Sequence, residues 1–157
     1  MDTDYKVKMS VSLTPVWHID PPLIEITVDK QPTITEFLHE AKTYQFEYLA
    51  RHKSFLEIRL LNKNIDDTVI DKGLDKLVHI TSIEFFGIEN KKFVWSGIYE
   101  PEYPDHYIEE QSKAGNFLNK QLSGIDCMGW NGCYRLEFDV PVFTWIHHLQ
   151  GHGWLFT

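Results

Sequence analysis

Residues 62–75, Asn-Lys-Asn-Ile-Asp-Asp-Thr-Val-Ile-Asp-Lys-Gly-Leu-Asp, gather four carboxylates and two side-chain amides within 14 positions. Oxygen-rich loops of this kind suit calcium, which takes about six to eight oxygen ligands at about 2.3–2.6 Å. Asp66, Asp67, Asp71 and Asp75 are the candidate metal ligands, assisted by backbone carbonyls, and Ca²⁺ is the one cofactor these residues suggest. The spacing departs from the EF-hand loop, which alternates its acids and closes on Glu. A solvated acidic turn, with Asp66 or Asp71 capping backbone N–H groups, fits the same residues.

Aromatic residues make up 14% of the chain, with five Trp, seven Tyr and ten Phe, and rings in that number must pack or bind something. Sugar recognition sets aromatic faces against pyranose rings while carboxylates and amides bond the hydroxyls. Trp95, Tyr99, Tyr103 and Trp130 are the candidate ligand-binding residues, with Trp17 and Tyr107 as further rings of the same kind. Trp130 leads them, because Met128-Gly129-Trp130-Asn131-Gly132 sets an indole on a Gly-flanked tight turn. The alternative is that these rings fill a core or a subunit contact.

Cys127 and Cys133 bracket that turn and are expected to face each other across a hairpin, as small buried thiols or as a disulfide. Adding His147, His148 and His152 draws a Cys2His2 zinc set, but five residues between the cysteines exceed the roughly two to four usual in zinc fingers. No Gly-x-Ser-x-Gly, His-Glu-x-x-His or phosphate-cradling Gly loop occurs. Glu100 with Glu102, and Glu109 with Glu110, are neighbouring acids of the type glycosidases use and, as readily, of the type that is simply solvated. The sequence reads as that of a non-enzyme with no catalytic residues.

The elements that must carry these groups read mainly as strands. Tyr5, Val7, Met9, Val11 and Leu13 alternate with polar residues, the period of a half-buried strand. Residues 23–28 are rich in β-branched side chains, and residues 34–38 and 43–49 read as two strands, although Phe37, Ala41, Tyr44 and Tyr48 also fit one helical stripe. Residues 54–61 and 76–86 follow as strands, the latter with Leu77, His79, Thr81, Ile83 and Phe85 on one face. Pro101 and Pro104 argue against a central strand in residues 99–107. Residues 108–122 are expected as a helix or extended arm, and residues 134–140 as a last strand before an irregular tail.

Many short strands and few helices predict an all-β fold, a jelly-roll β-sandwich with an irregular C-terminal arm. One domain is expected over the 157 residues, with its core in about 5–96 and 133–140, an arm at 97–132 and a tail at 141–157. The net charge of -8 argues against nucleic acid, whose phosphates call for clustered Lys and Arg. The chain opens without a positive segment followed by an apolar run, so no secretory signal is expected. No apolar window reaches the length of a membrane span, so no membrane partner is expected either.

The order Ile26-Thr27-Val28-Asp29-Lys30, then 42–47 (Lys-Thr-Tyr-Gln-Phe-Glu), 55–63 (Phe-Leu-Glu-Ile-Arg-Leu-Leu-Asn-Lys), an acidic loop, and 79–87 (His-Ile-Thr-Ser-Ile-Glu-Phe-Phe-Gly) resembles the jelly-roll carbohydrate-binding modules of the calcium-dependent, xylan-binding type, and similar domains of bacteriophage proteins. In those modules a strand ends near an Asn-Asp pair before the acidic loop. The pair here is Asn62-Lys63, so the matching carboxylate is missing, and the chain from Trp95 onward matches nothing in the modules. Residues 95–104, Trp-Ser-Gly-Ile-Tyr-Glu-Pro-Glu-Tyr-Pro, with the Gly129-Trp130-Asn131-Gly132 turn, are similar in style to phage virion components.

The resemblance implies a structural, assembly or adhesion protein of a phage-like particle, made in a host cytoplasm and located in the virion. Its partners would be other virion proteins or further copies of itself, docked through residues 95–107 and 145–157. The alternative is a calcium-dependent module recognising a polysaccharide. A small hydrolase would require a converging acid pair in a pocket.

Overall fold

In the computed structural model, residues 3–150 are described. The first strand, β1 (Tyr5–Val16), buries Val7, Met9, Val11 and Leu13 on one face, while Tyr5 at its start is exposed. A one-residue slip would carry all four to solvent at roughly 1.5–3 kcal/mol each, which fixes the register. β2 (Leu23–Val28) buries Ile24, Ile26 and Val28 in the same way. Residues 33–50 form two strands rather than a helix, β3 (Ile34–Phe37) and β4 (Lys42–Ala50), and Tyr44, Phe46 and Tyr48 of β4 point inward. β5 (Lys53–Leu60) adds Leu56, Ile58 and Leu60 to the core.

The acidic segment follows as two single 3-10 turns, Ile65–Asp67 and Ile70–Lys72. β6 (Leu77–Phe85) departs from simple alternation. Ser12 of β1 pairs with Ser82 but Leu13 pairs with Ile80, so Thr81 is an extra residue, and its hydroxyl donates to the Ser12 carbonyl at 2.8 Å. This bulge switches faces midway. The buried set is Val78, Ile80, Ile83 and Phe85, in place of the single face through Leu77, His79 and Thr81 that uninterrupted alternation predicts.

After β7 (Ile88–Glu89) and the short α1 (Lys91–Trp95), the segment expected to be irregular supplies β8 (Ile98–Pro101), α2 (Asp105–Lys113), β9 (Leu122–Ser123) and β10 (Cys127–Met128). β8 lies inside a sheet despite its proline. Pro101 ends the strand, beyond Ile98 and Tyr99, the two residues that pair with β9, so the missing N–H is tolerated there. β11 (Gly132–Asp139) turns Tyr134, Leu136 and Phe138 inward. The Tyr134 hydroxyl donates to the Val94 carbonyl at 2.6 Å over Gly97, where a Cβ would lie 2.3 Å from the ring.

Two antiparallel sheets result. One runs β10-β6-β1-β4 with β7 on β6, and the other β3-β2-β5-β11-β8-β9. Their inward side chains form one apolar cluster, the core of a jelly-roll β-sandwich. α3 (Val142–Leu149) occupies the stretch expected as an irregular tail. It packs Trp145 against Phe85 and Phe93 (centroids 5.6 Å from each) and Phe138 (5.9 Å), so this indole belongs to the chain's own core rather than to a docking arm. Trp154 and His152 lie outside the described residues. Among the described residues no helix is long and apolar enough to cross a membrane.

Candidate functional site

The acidic loop is built around two lysines. Asn64 caps the first 3-10 turn, its side chain accepting from the Asp66 N–H at 3.0 Å while Asp67 Oδ2 accepts from the Asn64 N–H at 2.8 Å. That reciprocal arrangement draws Asp67 into the interior, where it is 0% exposed. Lys76, also 0% exposed, aims its Nζ at Asp20 Oδ1 (2.5 Å), the Asn62 carbonyl (3.2 Å) and Asp67 Oδ2 (3.3 Å). Lys63 Nζ lies 2.8 Å from Asp75 Oδ1, donates to the Gly129 carbonyl, and stands 5.0 Å from the centre of the Trp130 ring.

Burial works against the Asp75 carboxylate, but hydrogen bonds from Lys63, Thr68 and the Lys76 N–H outweigh it and hold its pKa below the usual value. Asp66 and Asp71 stay on the exposed sides of their turns. Of the four candidate metal ligands, then, two face lysines and two face water. Among the described residues no three His, Cys, Asp or Glu side chains converge as a metal would require. The residues present do not fit the calcium site that the resemblance implies.

The loop is tied to the Trp130 turn through Asn131, whose Oδ1 accepts from the Lys63 N–H at 2.7 Å and whose Nδ2 donates to the Lys63 carbonyl at 2.8 Å. The turn is also held from below. Tyr99 is 1% exposed; its hydroxyl donates to the Trp130 carbonyl and accepts from the Trp130 N–H at 3.0 Å. Burial pushes the Tyr99 phenol pKa upward, keeping the hydroxyl a neutral donor. Gly132, at φ 149°, lets β11 approach β8, since a Cβ there would sit 2.3 Å from the Glu100 carbonyl.

α2 brings the remaining rings. Tyr107 packs on Trp130 (centroids 4.6 Å, 43° between planes), and Tyr103 touches both, at 5.8 Å from Tyr107 and 5.7 Å from Trp130. Tyr103 is steadied by its hydroxyl, which donates to the Asn119 carbonyl at 2.9 Å. Tyr107, Glu110 and Gln111, at helical spacings of three and four, present one face of α2 to the acidic loop. Between them opens a groove of about 540 Å³ whose wall includes Tyr107 and Trp130, with Glu102, Glu110, Ile65 and Ile70.

The sequence candidates therefore divide. Trp130 and Tyr103 meet in the ring cluster. Tyr99 is a correction: it is a core residue that positions Trp130 and has no surface for a ligand. Trp95 is exposed but lines a different depression, with His79, Thr81 and Asp126. Cys127 and Cys133 are free thiols in different sheets rather than partners across a hairpin, and burial raises the Cys133 pKa to about 11. Lys63 and Lys76 carried no sequence signal of their role, because a lone Lys is a surface residue by default. Glu110 and Tyr107 become legible only once residues 105–113 are known to be helical.

No family model and no curated protein matches the chain. Among solved structures it is similar to one described as "vCBM60 in complex with galactobiose", at 11% identity and a TM-score of 0.47, covering 82% of this chain and 96% of that one. The sandwich is defined by this chain's own strand pairing and core.

Proposed function

We propose that the chain binds carbohydrate, in the groove between the acidic loop and α2. The observation that carries this reading is the Tyr107–Trp130 pair, partly open to solvent in the wall of a groove of about 540 Å³ that also holds exposed Glu102 and Glu110. Such a combination offers ring faces to the C–H surface of a pyranose and carboxylates to its hydroxyls. Trp130 is set in place before any ligand arrives, by Tyr99 below it and by Lys63 and Asn131 beside it. Less ordering entropy is then lost on binding.

The same residues favour binding over hydrolysis. A glycosidase keeps one carboxyl protonated by burying it, whereas Glu102 and Glu110 are both exposed. The test is native electrophoresis through gels cast with neutral polysaccharides, xylan and galactan among them. Retarded migration relative to a polysaccharide-free gel is expected, and unchanged migration across the panel would count against the reading.

A protein partner is the second reading, favoured by Ile70 and Phe117, which are 87% and 86% exposed. The particle-assembly role that the resemblance implies belongs here. It loses Trp145 as a docking group, since that ring is packed within its own chain.

A further inference from the structure

Lys76, itself just ahead of β6, draws its oxygens from two separate stretches of chain, Asp20 before β2, and Asn62 and Asp67 in the loop. Two carboxylates and a carbonyl converging on one buried point is the donor set of a cation site, and an ammonium with three N–H donors fills it. Lys63 repeats the arrangement on the other side of the loop, with Asp75, the Gly129 carbonyl and the indole face of Trp130. We infer that Lys63 and Lys76 supply, from within the chain, the positive charge that a divalent ion supplies in an oxygen-lined loop, so that the groove wall is complete without metal.

Charge and geometry support this together. Asp20, Asp67 and Asp75 are each engaged by a lysine, and Asp66 and Asp71 point to solvent from separate turns. Among the described residues, the buried side-chain oxygen without a hydrogen-bond partner is Asp67 Oδ1. An ion bound there would lie beside the Lys76 ammonium, since the other oxygen of the same carboxylate is 3.3 Å from it, and like charges at that range repel strongly when buried. The inference concerns the loop itself and stands whatever the groove binds.

The experiment is thermal unfolding of the full chain after exhaustive EDTA treatment, with and without millimolar CaCl₂. Equal midpoints are expected. A calcium site filled at about a hundredfold over its Kd would raise the midpoint by roughly 5–10 °C, and a rise of that size that Asp67→Asn abolishes would overturn the inference. Lys76→Met should lower the midpoint in both buffers, and a variant as stable as the parent would overturn it equally. If Lys76→Met does not fold, the calcium comparison on the parent chain still decides.

Discussion

Trp130 owes its position in part to a residue with no surface on the groove. That residue is Tyr99, because one phenol satisfies both the N–H and the carbonyl of the Trp130 backbone from inside the core. Tyr99→Phe keeps the ring's packing and removes those two bonds, leaving buried polar groups unpaired at about 1–3 kcal/mol. Urea unfolding should register that loss together with weaker retention by polysaccharide; a fully stable Tyr99→Phe would mean that the turn holds itself. Sequence alone does not separate Tyr99 from a contact residue, since exposed and buried tyrosines look alike without the strand that orients them. The lysines are not legible for a related reason: a cluster of Asp side chains has the composition of a metal loop, and nothing in the spacing of Lys63 and Lys76 shows that each folds back onto it.

At the scale of elements, alternation carried most of the sandwich. β1, β2 and β11 were legible because each keeps one face apolar from end to end, and β4 because its inward face is apolar from Tyr44 to Ala50. β6 was legible as a strand but not in its facing, since the Thr81 bulge reverses the pattern and only the pairing with β1 reveals it. β8, β9 and β10 escaped because two to four residues are too few to establish a strand period, and α3, at eight residues, spans only about two helical turns. α2 falls partly within the stretch expected as a helix or extended arm, and the structure of all of these comes from tertiary contacts. α3 shows this most plainly, as its Trp145 completes a ring cluster with Phe85, Phe93 and Phe138. Trp145→Ala should therefore cost about 3–5 kcal/mol of stability, read by denaturant midpoint. A near-neutral effect would return Trp145 to a role outside its own chain.

For the molecule as a whole, one loop links stability to pH and frames the groove. The Asp75 pKa is lowered on folding, so its contribution to stability is present in full above the ordinary carboxylate value of 3.8 and disappears as the pH falls through the lower native value. Urea midpoints should accordingly hold near neutrality and drop below about pH 4, with a smaller drop in Asp75→Asn; an identical acid profile in the variant would remove Asp75 from that account. The net charge of -8 sets a further condition on the ligand, since an acidic chain with Glu102 and Glu110 in its groove favours neutral over anionic sugars. The central claim remains that this groove holds carbohydrate on its rings. Tyr107 tests it best, because it lines the groove from α2 outside the buried core, whereas Trp130 also packs against the core. In native gels carrying neutral polysaccharide, the parent chain should be retarded and Tyr107→Ala should bind roughly tenfold or more weakly, the equivalent of about 1.4 kcal/mol of lost ring contact. Equal retardation of the two, or none of either, would contradict it.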